Sequence, residues 1–304
     1  MSKPIVLRAL DGSNPLAFLA ALGTLRILTI GSGSFLRMRW VRDGSWNPEL
    51  SGLDKSEEQL SELVHGSLNV PTKQFETLGD NITVPPDVFA NFIRQCEYNL
   101  TREDRRAADF AAAFGSELCV QPRDENRIQY TDLCFMTGSG HQHFLGTMRA
   151  LKRCVQVSHI HDALFGEWRK DKGNSMRWDP QDAAEYAMRW GDPSLDGASA
   201  VWGANLLAVE SLPLFGSFAG RHQKLKTTGF RYEGEWPEFT WPIWTDYIGI
   251  DVIRSLLALT SLQEDQTDRT ELSAIGIQEV YRSARVRIGK GANFKVSFRP
   301  AAAV

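Results

Sequence analysis

Four of the six histidines stand in two His-x-His pairs, His141/His143 and His159/His161, and Asp162 follows the second pair. Imidazoles and a carboxylate are suitable ligands for zinc, iron or nickel. On a strand such a pair shares one face, whereas on a helix its two rings point about 200° apart. Both pairs fall at predicted helix starts, so we expect no bound metal. A metal-dependent hydrolase that uses these four histidines is kept as an alternative function.

Other catalytic signatures are missing from the sequence. It contains no Gly-x-Ser-x-Gly motif, no Walker motif and no Gly-x-Gly-x-x-Gly motif, so we predict no catalytic residue and no cofactor. Its four cysteines have no Cys-x-x-Cys spacing, which argues against a zinc site or a disulfide framework. With no signal peptide and no run of about 18 apolar residues, we expect a cytoplasmic protein with reduced thiols and no membrane partner.

A small-residue junction, Thr-Gly-Ser-Gly at 137–140, lies between a predicted strand (128–136) and a predicted helix (141–155). Small residues allow close backbone approach, and the N-terminus of a helix presents unpaired N–H groups that suit a phosphate. The competing interpretation is a tight turn packed against a neighbouring segment. The candidate phosphate contacts are Gly138, Ser139, Gly140, Gln142 and Arg149.

Two basic ribbons stand out in a chain whose formal net charge is −3. In the first, at 220–232, Lys224 and Lys226 alternate with Leu225, as on a strand with one charged face. The second is the acid-free end of the chain, 281–304, preceded by an acidic loop around Glu264 and Asp265. Basic strands with aromatic neighbours suit phosphate backbones and stacked bases, although a solvated sheet face has the same pattern. The candidate nucleic-acid contacts are Arg221, Lys224, Lys226, Arg231, Arg282, Arg285, Arg287, Lys290, Lys295 and Arg299.

Local patterns predict the elements that position these residues. Asn14 or Ser13 caps a buried, nearly all-apolar helix at about 15–29, and Asp43-Gly44 joins a hairpin. Residues 278–299 are predicted to form two strands around a Gly-rich turn. Further helices are predicted at 55–65, 85–99, 101–115 (capped by Thr101 with Asp104), 158 to about 168 (capped by Ser158), 201–210 and 248–260.

The mixture of helices and strands without regular βαβ alternation favours an α+β fold. We predict an N-terminal region, 1–172, with a helical insert, and a strand-rich, aromatic C-terminal region, 173–304, with a basic end. One continuous domain is the alternative. Seven of the nine tryptophans lie between Trp168 and Trp244, a composition typical of cores and protein–protein contacts.

Several segments resemble a known family. The opening LRALDGSNPLAFLAALGTLRIL is similar to the strand–turn–helix start of large-subunit-type proteins in type I-G (formerly type I-U) CRISPR-associated systems. Four later segments follow in a similar order, so the resemblance extends over most of the chain. They are GSGHQHFLGTMRAL (138–151), MRWDPQDAAEYAMRW (176–190), GANLLAVESLPLF (203–215) and FTWPIWTDYIGIDVIRSLLAL (239–259).

The resemblance implies a non-catalytic subunit of an RNA-guided surveillance complex, a ribonucleoprotein of antiviral defence. Such a subunit contacts the flanking motif of target DNA, holds displaced strands and offers a docking surface for a helicase-nuclease. Its implied partners are guide RNA, target DNA and other CRISPR-associated subunits. In such complexes base pairing with the guide recognises the sequence, while protein contacts duplex shape and backbone. A purely structural assembly partner is the third alternative.

Overall fold

The computed structural model describes residues 3–32, 35–98, 100, 105–136, 143–182, 199–234, 236–288 and 295–304. Over these ranges helices and antiparallel strands are mixed, which confirms the predicted α+β class. The predicted capping pair Thr101 and Asp104 lies outside the described residues, as do the Thr-Gly-Ser-Gly junction and the turn at 289–294.

The described part of the chain contains nine α-helices, most of them where the apolar periodicity predicts them. Short 3-10 helices occur at Gln74–Leu78, Leu212–Leu214, Arg221–Gln223 and Thr260–Gln263. The α-helices are α1 (Pro15–Ser32), α2 (Glu57–Ser67), α3 (Pro86–Tyr98), α4 (Arg106–Phe114), α5 (Phe144–Cys154), α6 (Val157–Leu164), α7 (Trp202–Ser211), α8 (Ile250–Leu257) and α9 (Arg269–Ala274).

Two antiparallel sheets and three further pairs of antiparallel strands accompany the helices. One sheet has the order β1-β3-β2, from β1 (Ile5–Val6), β2 (Arg37–Asp43) and β3 (Ser45–Ser51). The other has the order β10-β11-β12-β13, with β14 also paired to β12; its strands are β10 (Phe230–Arg231), β11 (Glu238–Trp244), β12 (Ile277–Ile288), β13 (Lys295–Phe298) and β14 (Ala302–Ala303). The further pairs join β4 (Gly115–Gln121) with β5 (Asp124–Tyr130), β6 (Asp171–Lys172) with β7 (Ser199–Ala200), and β8 (Ser217–Ala219) with β9 (Leu225–Thr227); the first and the last of them are hairpins.

Helix α1 is buried, as its sequence predicts. The side chain of Asn14 accepts hydrogen bonds from the backbone N–H groups of Leu16 (2.9 Å) and Ala17 (3.4 Å), and therefore caps the helix. The ring of Phe18 packs against aromatic rings from both sheets, with Trp40 on β2 and Trp241 on β11 at centroid distances of 5.7 and 5.8 Å. Helix α1 is apolar on nearly every face, and both sheets and α7 cover those faces.

Helices α1 and α7 approach so closely that backbone meets backbone. A Cβ atom at Gly23 would lie 1.7 Å from the carbonyl oxygen of Leu207, so only glycine fits there. The buried Arg26 of α1 forms an ion pair with the buried Glu210 of α7 at 3.2 Å. Residues from both predicted regions, 1–172 and 173–304, therefore share one hydrophobic cluster.

Three local predictions need correction. Helix α6 is capped by Gln156, whose side chain and that of His159 form a reciprocal capping box, so Ser158 lies inside the helix. The helix ends at Leu164, four residues before the predicted Trp168. The strand predicted at 128–136 ends at Tyr130, because the N–H of Cys134 donates to the carbonyl of Thr131 (3.0 Å) and closes a turn.

A buried polar cluster lies where the chain leaves β6 and approaches the second sheet. The Asp182 carboxylate accepts a hydrogen bond from the Ser175 hydroxyl (2.7 Å) and lies 3.4 Å from the Lys170 ammonium. Burial, with the nearby Asp179 carboxylate, raises the pKa of Asp182 to about 6. The Lys170 and Arg177 charges oppose that shift only in part.

The raised pKa of Asp182 predicts a pH-dependent stability. Between pH 4 and 6 the folded chain holds a proton that the unfolded chain has lost, so stability falls as pH rises, by up to about 3 kcal/mol. We expect Asp182→Asn, which keeps an acceptor for Ser175, to flatten that fall. Urea denaturation between pH 4 and 8, followed by tryptophan fluorescence, measures both curves. Equal slopes in the parent and the variant would assign the proton to another group.

Candidate nucleic-acid interface

The β8–β9 hairpin carries the first basic ribbon on its outer face. Phe218 pairs with Lys226 across the hairpin, and the N–H of Gly220 donates to the carbonyl of Lys224 (2.7 Å). Leu225 and Thr227 are buried, whereas Lys224 and Lys226 are exposed. The alternation predicted from the sequence is therefore confirmed, because neighbouring side chains of a strand point to opposite faces.

Three positive charges of this hairpin are uncompensated. Among the described residues, no carboxylate lies within ion-pair distance of Arg221, Lys224 or Lys226, and all three are exposed. The Lys226 ammonium lies 5.4 Å from the centre of the Tyr232 ring. Beside it Phe218 leaves 52% of its surface exposed, although it is a large apolar side chain. Exposed cations next to an exposed aromatic ring are suited to a phosphate backbone with stacked bases.

Tyr232 connects the β8–β9 hairpin to the segment after β5 through two hydrogen bonds of its hydroxyl. Its hydroxyl donates to the Asp132 carboxylate (2.5 Å) and accepts from the backbone N–H of Thr227 (2.6 Å). Burial raises the pKa of Asp132, and burial with the adjacent carboxylate raises that of Tyr232. These bonds fix β9 against the turn after β5, so that the lysines are presented on a rigid strand.

Two of the predicted contact residues face inward instead. The Arg231 side chain is only 10% exposed and forms ion pairs with Glu233, Glu238 and Asp265. The Arg282 guanidinium donates to the carbonyls of Leu262 (3.1 Å) and Glu264 (2.7 Å). Both arginines thus hold the acidic loop against the second sheet, and their charges are used within the fold.

The C-terminal ribbon forms the predicted hairpin of β12 and β13, with Arg285 paired to Phe298. The Arg285 guanidinium lies 5.1 Å from the Phe135 ring centre, and its Nε is buried without a hydrogen-bond partner among the described residues. Arg287 and Arg299 are exposed. Lys295 begins β13, and Lys290 lies outside the described residues. Arg285 is therefore partly a packing residue, while Arg287 and Arg299 extend toward solvent.

Of the phosphate-contact candidates, only Arg149 can be placed. It donates to the carbonyl of Gly79 (3.0 Å) and forms an ion pair with Asp80, so it ties α5 to the preceding loop. Gly138, Ser139, Gly140 and Gln142 lie outside the described residues.

Each described histidine of the two pairs has a local partner. Nδ1 of His143 lies 3.1 Å from the Asn81 amide, and Nδ1 of His159 accepts from the N–H of Gln156 (2.9 Å). The His161 ring packs against Phe165 with centroids 5.7 Å apart. Within the described ranges, no three His, Cys, Asp or Glu side chains are placed to hold a metal; His141 lies outside those ranges.

Two of the buried cysteines, Cys96 and Cys134, are not activated as nucleophiles. Burial raises the pKa of Cys96 to about 11 and that of Cys134 to about 12. Both thiols are therefore protonated at pH 7, and a protonated thiol is a poor nucleophile.

Sequence patterns missed one basic residue and one aromatic residue near the ribbon. Arg123, in the β4–β5 turn, is exposed and lines a cleft of about 380 Å³ together with Leu225. In the sequence Arg123 is followed by Asp124 and Glu125, so the segment does not read as basic. In the structure Asp124 pairs with Arg127 instead, at 3.1 Å. The sequence did not indicate that Phe218 is exposed, because an isolated phenylalanine beside a strand is the usual pattern of a core residue.

Within the described ranges, no helix combines the length and the apolar character that crossing a bilayer requires. The chain matches no protein-family model and no curated protein sequence.

Proposed function

We propose that this chain is a non-catalytic subunit of an RNA-guided CRISPR surveillance complex, which contacts the backbone of target DNA or guide RNA and docks partner subunits. The observation that carries the proposal is the basic face of the β8–β9 hairpin, whose exposed cations meet no carboxylate in the part of the chain that the structure describes, and on which exposed Phe218 pairs with Lys226. The similarity of the N-terminal segment to large-subunit-type proteins of type I-G systems supplies the class of complex.

The placement of charges supports a contact with the nucleic-acid backbone rather than non-specific association. The chain is acidic overall, yet Arg221, Lys224 and Lys226 have no carboxylate partner within the described ranges. By contrast, Arg231 is neutralised by carboxylates, and Arg282 is held by backbone carbonyls. Positive side chains that meet phosphates release condensed counterions, which gives affinity without sequence preference. A protein that leaves sequence recognition to a guide needs this kind of contact.

We expect Lys224→Ala/Lys226→Ala to weaken binding to DNA or RNA about equally for all sequences. Each lost phosphate contact reduces the steepness of log K against log salt concentration by about 0.7–0.9, so the double variant should lose about 1.4–1.8 units of slope. Titrations of labelled oligonucleotides at several salt concentrations measure that slope. Lys55→Ala/Lys73→Ala is the matched control, because it removes two exposed lysines from a distant part of the sequence.

Other outcomes favour the alternatives. Unchanged affinity and slope, in a double variant that still joins the assembled complex, would contradict nucleic-acid contact and support a structural assembly partner. About one zinc, iron or nickel per purified chain would instead favour the metal-dependent hydrolase with His141, His143, His159 and His161.

A further inference from the structure

A second groove begins where the basic ribbon ends. It lies between the β9–β10 turn and the segment after α8, and its volume is about 400 Å³. That volume is within the usual range for small-molecule sites, about 300–1,000 Å³. Aromatic and aliphatic side chains provide most of its walls: Phe218, Phe230, Tyr232, Leu257 and Leu259.

One wall of this groove contains an unpaired amide. Gln263 lines the groove, and both its Nε2 and its Oε1 are buried without a hydrogen-bond partner among the described residues. Its backbone carbonyl accepts from the Arg231 guanidinium (3.1 Å), so the residue is held in place. Buried amides are normally satisfied, and an unsatisfied one needs an explanation such as a missing ligand.

The charges around the groove are divided between two ends. Lys226 lines it beside Phe218, and Glu233 lines it near Arg231. A ligand that is anionic throughout would meet Glu233 and the acidic loop. The two ends of the groove fit a ligand that has one neutral, flat, hydrogen-bonding end and one anionic end. The neutral end would lie deep in the groove, and the anionic end would lie at Lys226.

We propose that this groove binds one unpaired nucleobase of the strand held by the β8–β9 hairpin. Phe218 stacks on the base, the Gln263 amide bonds to the base edge, and Lys226 contacts the adjoining phosphate. An amide supplies both a donor and an acceptor, as base edges require. Extruded bases stacked on aromatic side chains are a general mode of single-strand recognition. The inference rests on the nucleic-acid contact proposed above.

The test uses the full chain and labelled oligodeoxynucleotides of dA, dC or dT, together with an abasic strand of the same length. We expect Phe218→Ala to weaken binding of the base-containing strands about tenfold. Its salt slope and its affinity for the abasic strand should be unchanged, because the phosphate contacts remain. Tyr98→Ala is the control, since Tyr98 is an exposed aromatic residue that does not line this groove.

Gln263→Leu tests the base-edge contact. Leucine is similar in size to glutamine, and the substitution removes an unsatisfied polar group, so we expect the variant to fold. A thermal melt checks this. We expect the ratio of affinities for dA, dC and dT to change by several-fold. If Gln263 has only a structural role, Gln263→Leu will change the stability but leave the ratio of affinities for dA, dC and dT as in the parent. That result would overturn the proposal.

The two proposals fail in different ways. If the abasic strand binds as tightly as dT, and only Lys224→Ala/Lys226→Ala weakens binding, the base-binding groove is wrong and the backbone contact stands. If no strand binds the parent protein at any salt concentration, both proposals are overturned.

Discussion

Gly23→Ala will destabilise the fold by more than about 3 kcal/mol, although alanine is the better helix former. A Cβ atom at position 23 would lie 1.7 Å from the carbonyl oxygen and 2.8 Å from the carbonyl carbon of Leu207. Overpacking of a core by one group typically costs about 1–3 kcal/mol when side chains can adjust. Here both obstructing atoms belong to the backbone of α7, so the two helices must separate along their contact.

The matched control is Gly66→Ala in α2. Nothing lies within 4 Å of a Cβ atom at that position, and Gly66 is exposed. Alanine there should stabilise the chain by at most about 0.5–1 kcal/mol through helix propensity, because position 66 is the last but one of the helix. Urea denaturation followed by circular dichroism measures both changes. A Gly23→Ala variant as stable as the parent would show that α1 and α7 do not make this contact.

Arg26→Met will cost about 3–5 kcal/mol of stability at pH 7, because it leaves a buried carboxylate without its counter-charge. The side chains of Arg26 and Glu210 are 3% and 2% exposed, and their closest atoms are 3.2 Å apart. Burial raises the pKa of Glu210, and the Arg26 charge is the largest influence that opposes the rise. The backbone N–H of Asn69 also donates to this carboxylate (3.0 Å), but it carries no charge.

The loss should depend on pH in a defined direction. Without Arg26 the pKa of Glu210 in the folded state rises further, so the folded chain keeps a proton that the unfolded chain releases above about pH 4.5. The destabilisation by Arg26→Met should therefore be small at pH 4 and grow as pH rises. Urea denaturation at pH 4, 5.5 and 7 measures this trend.

Two further variants identify the cause. Arg26→Met/Glu210→Met removes both buried charges of the pair and should recover much of the loss, since an apolar pair of similar volume is often tolerated. Asp109, which lies 3.5 Å from Arg26, keeps its ion pair with Arg105 in this variant. Arg8→Met breaks the exposed ion pair with Glu57 and should cost about 0–1 kcal/mol. A pH-independent loss in Arg26→Met, with no recovery in the double variant, would assign the effect to packing instead.

Local features of the fold were determined by the sequence alone. The Asn14 cap, the apolar run of α1, the Asp43-Gly44 turn and the β12–β13 hairpin all depend on residues close together in the chain. The alternation of Lys224, Leu225 and Lys226 likewise predicted which side chains of β9 are exposed. Caps, turns and periodicity act over a few residues, so sequence patterns contain the information.

Only the tertiary structure decided which basic residues remain available. Sequence patterns grouped Arg231 with Lys224 and Lys226, but Asp265, 34 positions away, neutralises Arg231. The groove beside Phe218 likewise needs Gln263 from the other side of α8. Gly23 and Arg26 meet Leu207 and Glu210, about 184 positions along the chain. Charge compensation, cavities and close backbone contacts depend on distances in space, and those are set by how the elements pack rather than by their order.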